Sequence, residues 1–275
     1  MINIIGLGKG GCTIAEMFSQ YPEYKIHKID TKVKGKNCYN IPYSNSIEEY
    51  EENVPEFKKL SSIKGEVMFI LCGGGNVSGA TLKILEKVKT CKINLIYIRP
   101  DPLLVPSEVL KKDHVIFKIL QEYARSGLIN QMMIISNQKV EELLGGLSIL
   151  EYYENLNKVI VSTLHMINYL LTSDAVFGKM SPQRDIDRIS TIGIYSYEEG
   201  IENYLYNLSS PRQKIFLYAI RKQDLTENKS LIKLIQQQVR TAYTGSEIDI
   251  SYKLTNTNYE ANFVYIISYT NIIQD

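Results

Sequence analysis

Tryptophan is absent from this chain, and cysteine, histidine and net charge are all scarce. The four cysteines are scattered without a C-x-x-C pair, which argues against a disulfide framework and is typical of a reducing cytoplasm. The three histidines do not cluster, so the sequence predicts no metal ligand set in the protein itself. A net charge of +1 gives no general attraction to nucleic acid or to an acidic membrane surface, and we expect no direct nucleic-acid partner.

Long apolar runs are also missing. No segment approaches the roughly 20 residues that a membrane-spanning helix needs, and Met1 leads straight into a strand-like run. We therefore expect neither a signal peptide nor membrane insertion, and a cytoplasmic location. The composition is an ordinary globular balance, with 44% hydrophobic and 22% charged residues among 275, enough for one large domain or two packed ones.

Two glycine-rich segments each lie between an apolar run and a helix-like run. The first occupies residues 6–13, and the second is Gly73–Gly79. A strand, a glycine loop and a helix together can bind phosphate, because main-chain N–H groups and the helix N-terminus face the anion. Each loop alone is also consistent with a turn that only packs a helix against a strand.

The first segment also permits a different interpretation. It matches G-x-G-x-x-G at Gly6, Gly8 and Gly11, and the next apolar run ends at Asp30, where a dinucleotide fold places its ribose-binding acid. The first thirty residues alone therefore predict a Rossmann domain that binds NAD, and an NAD-dependent oxidoreductase stays open as an alternative.

The order of elements predicts an α/β fold with a mostly parallel sheet. Strand-like runs alternate with helical runs up to about residue 147. One long helix is predicted from Ile149 to Leu171, because its apolar residues recur at spacings of three and four. Residues 190–210 are predicted as a short helix and a loop, and the rest as a β-α-β-β unit. We expect a nucleotide-binding domain at 1–147, a central helix at 148–176 and a smaller α+β domain at 177–275.

Together these segments resemble the tubulin/FtsZ family over nearly the whole chain. Gly73–Gly79 is similar to the family's G-G-G-T-G-[ST]-G loop, with Asn76 for the usual Thr and Val77 for the middle Gly. Residues 6–13 are similar to its first loop, and Asp30-Thr31 to its N-T-D segment. Ser136-Asn137 is similar to its P-N-D segment, with Gln138 in place of Asp. Leu156–Val159 resembles A-N-D-V on the central helix, whose Asn reads guanine.

The resemblance implies an N-terminal Rossmann-like GTPase domain that binds GTP or GDP, with Mg²⁺, and head-to-tail polymerisation of the chain with itself. The cofactor-binding residues that it implies are Gly8, Gly10, Gly11, Cys12, Thr31, Gly73, Gly74, Gly75, Asn76, Val77, Ser78, Gly79, Asn137 and Asn157. Val77 is β-branched, so we expect it to restrict the backbone of its loop.

In that family, carboxylates that follow the central helix of one subunit orient the attacking water in the site of the next. Asp185 and Asp187 occupy this segment and are the implied catalytic residues. The family has two acids three residues apart, whereas Arg184 stands at the earlier position here. A tubulin-like module that binds nucleotide or a partner without turnover is therefore the second hypothesis.

The C-terminal end bears on the biological role. Division proteins of the family carry a flexible tail that recruits membrane anchors, whereas this sequence ends at Asp275, just after the last predicted strand. We expect a role other than ordinary cell division, and the sequence does not define an adaptor protein.

Overall fold

The structure is a computed structural model that describes residues 1–196, 200–243 and 247–275. The chain divides into two compact units. Unit 1 comprises Met1–Val161 together with Ile273–Asp275, and unit 2 comprises Ser162–Ile272. The domains predicted from the sequence, with boundaries after residues 147 and 176, were defined by function and stay a prediction.

Unit 1 contains a parallel sheet whose strands alternate with helices. Its elements are β1 (Ile2–Leu7), α1 (Gly8–Met17), β2 (Tyr24–Asp30), β3 (Cys38–Asn40), α2 (Ile47–Glu52), α3 (Lys58–Ser61), β4 (Glu66–Cys72), α4 (Thr81–Lys87), β5 (Lys92–Arg99), α5 (Ser107–Arg125), β6 (Gln131–Ser136) and α6 (Asn137–Leu144). Short 3₁₀ helices occupy Phe18–Gln20 and Asn76–Ala80. The strand order is β3-β2-β1-β4-β5-β6. The predicted α/β class with a mostly parallel sheet is confirmed.

The central strands of unit 1 are apolar along their whole length because both faces of the sheet are covered. Phe69 and Ile70 of β4 are fully buried although they point to opposite faces, and the consecutive Ile96 and Tyr97 of β5 are buried in the same way. This continuous pattern let the sequence predict both strands.

The long helix α7 spans Tyr152–Thr172. The predicted start at Ile149 was too early, since Ile149 and Leu150 precede the helix and their side chains are 92% and 96% exposed. At the other end, the buried ammonium group of Lys253 donates hydrogen bonds to the carbonyls of Leu170, at 2.7 Å, and of Ser173. A cation at this position satisfies carbonyls that the last helical turn leaves open.

Unit 2 is a smaller mixed α/β structure. It contains β7 (Phe177–Lys179), β8 (Ile189–Ser196), β9 (Ile201–Tyr204), β10 (Gln213–Arg221), α8 (Lys222–Glu227), α9 (Leu231–Tyr243), β11 (Asp249–Thr257) and β12 (Phe263–Thr270). The strand order is β8-β12-β10-β11-β7, and β9 pairs with β8. Its core is formed by β10, β11 and β12 against α9, with Phe216, Ile235 and Ile266 buried at the centre.

The prediction of a helix and a loop at 190–210 was wrong. Ile189–Ser196 is a strand that pairs with both β12 and β9. The segment is rich in β-branched residues, and Ile189–Ile192 are buried on both faces of the strand, so no alternation of apolar and polar residues marks it. Residues 197–199 of the predicted segment lie outside the described residues. No helix in the described part of the chain is long and apolar enough to cross a membrane.

Candidate nucleotide-binding site

The two glycine-rich segments follow adjacent parallel strands. Leu7 of β1 pairs with Leu71 of β4, so both segments begin at the same edge of the sheet. From β1 the chain passes through α1 to β2 on one side, and from β4 it passes through α4 to β5 on the other. This reversal of strand order is a topological switch point, where open α/β sheets form a ligand crevice.

The first segment is not an open loop, because α1 begins at Gly8. Gly8 itself has φ +71°, a conformation that glycine adopts without strain. Leu7 precedes the helix without a side-chain cap, and the first turn holds no acidic residue. The free N–H groups and the positive end of this ten-residue helix are therefore directed at the switch point, as an anion site requires.

Gly11 and Cys12 lie deeper in the same helix. Cys12 is 7% exposed, and its thiol donates to the main-chain oxygen of Gly6 at 3.3 Å. Burial raises the pKa of Cys12 to about 12, so the thiol stays neutral. Both residues support α1 against the sheet. All four cysteines of the chain are free thiols.

The second segment turns through Gly73–Gly75 into the 3₁₀ helix Asn76–Ala80. The hydroxyl of Ser78 donates to the main-chain oxygen of Gly75 at 2.6 Å, and the amide of Asn76 donates to that of Asn45 at 2.8 Å. Val77 lies within a helical turn that β-branched residues can adopt, so the expected restriction does not distort the loop. The side chains hold the segment in shape, and its main chain is what it can offer to a phosphate.

The two segments meet at the switch point. A β-carbon built on Gly8 would lie 3.7 Å from Cβ of Val77, and one on Gly10 would lie 2.7 Å from Sγ of Cys72. Of the predicted residues, Gly8, Gly10 and Val77 are thus brought together directly. Gly79 is buried against the main chain of Ile47 and serves packing.

A buried polar cluster supports the second segment from behind. Asp113 of α5 is 1% exposed, accepts a hydrogen bond from the hydroxyl of Tyr97 at 2.9 Å, and pairs with Arg99 at 3.0 Å. Burial raises the pKa of Asp113, while Arg99 and Tyr97 oppose that rise. Asp113 is not among the residues predicted from the sequence. The available signal was its register, because it stands on the helix stripe that continues through Phe117, Leu120 and Ala124.

The same cluster binds the last residues of the chain. Arg99 donates to the main-chain oxygen of Asp275 at 2.5 Å, and Lys118 donates to its carboxylate at 2.6 Å. Gln121 and Gln274 exchange two hydrogen bonds and are both buried. The end of the chain is therefore packed on α5 of unit 1.

The remaining predicted binding residues lie on other elements of unit 1. Thr31 follows β2, and its N–H donates to the Asp30 carboxylate at 2.8 Å. Asn137 is the first residue of α6 and is half-buried at the carboxyl end of β6. Asn157 is half-buried in the first half of α7. Thr31 and Asn137 therefore share the sheet edge of the glycine segments.

The two predicted catalytic acids have opposite environments in unit 2. Asp187 is fully buried, and its carboxylate forms an ion pair with Arg184 at 2.9 Å without the geometry of an aligned hydrogen bond. Burial raises the pKa of Asp187, and Arg184 and Arg212 oppose that rise. The side chain of Asp185, in contrast, is 100% exposed and only loosely paired with Arg188, at 3.5 Å. Of the two, Asp185 alone presents its carboxylate to solvent.

The switch point suits phosphate better than it suits a free metal ion. Unpaired helix N–H groups and positive-φ glycines are the usual features of an anion site. Within the described residues, no three His, Cys, Asp or Glu side chains come together to hold a metal ion. A Mg²⁺ ion that accompanies a nucleotide is commonly held through phosphate oxygens and water, which requires no such group.

Comparison with known proteins gives a fold and no sequence family. No protein-family model matches the chain, and no curated protein matches it by sequence. Solved structures of tubulin/FtsZ-like proteins match it over nearly its whole length, so the chain has a tubulin/FtsZ-like fold.

Three of these structures come from different organisms. An empty FtsZ dimer from M. jannaschii matches with a TM-score of 0.72 and 13% identity, over 98% of this chain and 88% of that one. A GTPγS-form protofilament of TubZ from Bacillus thuringiensis serovar israelensis matches with 0.72 and 12%, over 98% and 86%. A GTPγS-bound protofilament of CetZ2 from Haloferax volcanii matches with 0.68 and 12%, over 98% and 92%.

Proposed function

We propose that this chain is a cytoskeletal protein that binds guanine nucleotide at the switch point between β1 and β4 and polymerises head-to-tail. The observation that carries the proposal is the meeting of Gly8 and Gly10 with the Cys72–Val77 segment, where the N-terminus of α1 faces the crevice. In this proposal the main chain of both segments holds the phosphates, Thr31 and Asn137 flank the nucleotide, and Asn157 contacts the base. Mg²⁺ would neutralise the phosphate charge.

Self-association is supported by apolar side chains near this edge. Leu103 and Leu104 follow β5 and are 82% and 57% exposed, while Ile149 and Leu150 precede α7 and are more than nine-tenths exposed. Both pairs belong to unit 1. Burial of such side chains against a second copy would contribute about 1.5–3 kcal/mol each if complete.

The proposal also includes hydrolysis of GTP. The exposed carboxylate of Asp185 would reach the nucleotide of the next subunit and orient water toward the γ-phosphate. Asp187 instead remains paired with Arg184 and would shape the loop that carries Asp185. A cytoplasmic location belongs to the same proposal and agrees with four free thiols. Any adaptor protein is undefined.

A second candidate is nucleotide binding without turnover. It is favoured by the burial of Asp187, because a single exposed acid then replaces the pair that the related fold uses. The two candidates differ in phosphate release and share nucleotide binding.

One experiment tests both. Purified protein is titrated with a fluorescent GTP analogue, and light scattering and phosphate release are followed as the protein concentration rises in GTP and Mg²⁺. Saturable binding, scattering and a turnover per subunit that increases with concentration are expected. Binding with no phosphate release at any concentration would establish the second candidate. Absence of guanine-nucleotide binding would refute both, and NADH binding in that case would indicate an oxidoreductase.

A further inference from the structure

A second polar cavity lies at the opposite end of the unit 1 strands, away from the glycine segments. Its volume is about 430 Å³, and its walls come from the beginnings of β1 and β2, from β3 and from the segment around α3. Asn3 of β1 pairs with Lys25 of β2, so both point to the same face. Because strands rise about 3.3 Å per residue, the length of β1 separates this cavity from the switch point by some 15–20 Å.

Three lysines surround the cavity without a counter-ion. Lys25, Lys59 and Lys64 contribute to its walls, and no lining residue is acidic among the described residues that form it. Within the described ranges, none of the three ammonium groups has a carboxylate within 4 Å. Lys28, on the same strand as Lys25, differs from them because its ammonium group pairs with Glu16 at 2.6 Å. The cavity therefore has an uncompensated positive charge.

The floor of the cavity is a fixed chain of hydrogen-bonding groups. His27 is 2% exposed, and its Nε2 lies 3.2 Å from Oδ1 of Asn3, while Nδ1 lies 3.4 Å from the hydroxyl of Tyr39. The amide of Asn3 in turn donates to the main-chain oxygen of Lys64 at 3.5 Å. Burial and the nearby Lys25 lower the pKa of His27 to about 4, so the imidazole is neutral at pH 7.

We propose that this cavity binds a small phosphate-bearing anion. Lysine ammonium groups bind phosphate as point charges, and three of them around one opening provide the charge that such an anion needs. The volume falls within the usual range of small-ligand sites. His27 lines this cavity and is 2% exposed, so a ligand that contacts the floor has to be small. The inference is independent of guanine-nucleotide binding at the glycine segments.

The test uses the full chain, inorganic tripolyphosphate as the probe, and NMR of histidine ring protons at physiological salt. The chain has only three histidines, so the His27→Gln variant assigns the reporter signal. Wild type is compared with the double variant Lys59→Gln, Lys64→Gln. The matched control is Lys58→Gln, Lys83→Gln, which removes the same charge from exposed positions that do not line the cavity.

The expected result is a saturable shift of the His27 signal in wild type and in the control. The apparent dissociation constant should rise at least about tenfold in the Lys59, Lys64 variant. No saturable shift up to 10 mM probe (roughly the upper limit of weak specific binding) would overturn the proposal. Equal weakening in the two double variants would also overturn it, since general charge would then explain the effect. Urea midpoints equal to wild type show that all variants are folded.

Discussion

Gly73 lies directly against Asp113. A β-carbon on Gly73 would lie 1.9 Å from Oδ1 of Asp113 and 2.7 Å from the hydroxyl of Tyr97. The glycine at this position is therefore required by a buried carboxylate behind the loop, whatever the loop binds in front. Arg99 joins the same carboxylate to the end of the chain at Asp275. The shape of the second glycine segment thus depends on polar packing inside unit 1.

The first prediction follows from this contact. Gly73→Ala should lower the free energy of unfolding by about 1–3 kcal/mol, because the added methyl group has to displace a buried ion pair. Gly75→Ala is the matched control, since Gly75 has φ −81° and no atom within 4 Å of an added β-carbon. Urea denaturation measures both. Equal stability of the two variants would contradict the packing role of Gly73.

The same two variants should also differ in their affinity for nucleotide. The Gly73→Ala protein should bind the fluorescent GTP analogue more weakly than wild type, because its loop has to move. Position 75 is exposed, so the loop need not move in the Gly75→Ala protein. Its affinity for the analogue should therefore fall only if the added methyl group contacts the nucleotide directly. This comparison separates damage to the loop from direct contact with the nucleotide.

The second prediction concerns the two acids of the segment after α7. Asp185→Ala should leave the free energy of unfolding within about 0.5 kcal/mol of wild type, since the side chain is fully exposed. It should lower GTP turnover about 10²-fold if Asp185 orients the water, with GTP affinity unchanged. Glu260→Ala, which removes another exposed acid of unit 2, is the control.

Asp187→Asn should behave differently. Burial raises the pKa of Asp187, so the ionised form is unfavourable in the folded chain. The raised folded pKa means that stability falls as pH rises from the ordinary aspartate value toward the folded one. The amide variant should lose this dependence and keep most of its turnover. A larger loss of turnover in Asp187→Asn than in Asp185→Ala would reverse the roles assigned to the two residues.

The third prediction concerns the exposed apolar side chains near the switch point. Leu150→Lys should not change the free energy of unfolding by more than about 0.5 kcal/mol, because Leu150 is 96% exposed. It should reduce the amount of polymer that sediments with GTP, because a charge would be buried in the contact between subunits. Val115→Lys is the control, since Val115 is 51% exposed on α5. Similar sedimentation of the two variants would exclude Leu150 from the contact.

The parallel strands of unit 1 could be predicted because burial on both faces leaves a continuous apolar run, as in Phe69 and Ile70. The start of α1 at Gly8 could not, since glycine disfavours helix and the close packing of this turn against β4 cannot be read from the sequence. Ile149 and Leu150 extended the apolar spacing of α7 although they lie outside the helix. A stretch of apolar residues does not distinguish a side chain buried in its own fold from one left exposed for a partner.

Some features of the candidate site could likewise be predicted from the sequence, and others could not. Glycine spacing marked both segments, because a close backbone approach leaves a trace in the sequence. The supporting role of Asp113 is marked in the sequence only by one charged residue within the apolar stripe of α5. The sequence does not indicate that Asp187 is buried and Asp185 exposed. The two residues are chemically identical and lie in one loop, and only the folded backbone decides which side chain points inward.

The fourth prediction uses His27 as a titrating group. Its folded pKa of about 4 lies below the ordinary 6.5, so between these values the unfolded chain binds a proton that the folded chain excludes. Stability is therefore full above pH 6.5 and is lost as pH falls toward 4, by about 1–2 kcal/mol between pH 7 and pH 5. His27→Gln should remove this part of the loss, because glutamine does not titrate. Urea denaturation at the two pH values measures it, with exposed His114→Gln as the control. An unchanged difference in His27→Gln would show that the imidazole is already charged in the folded chain, which burial and the nearby Lys25 oppose.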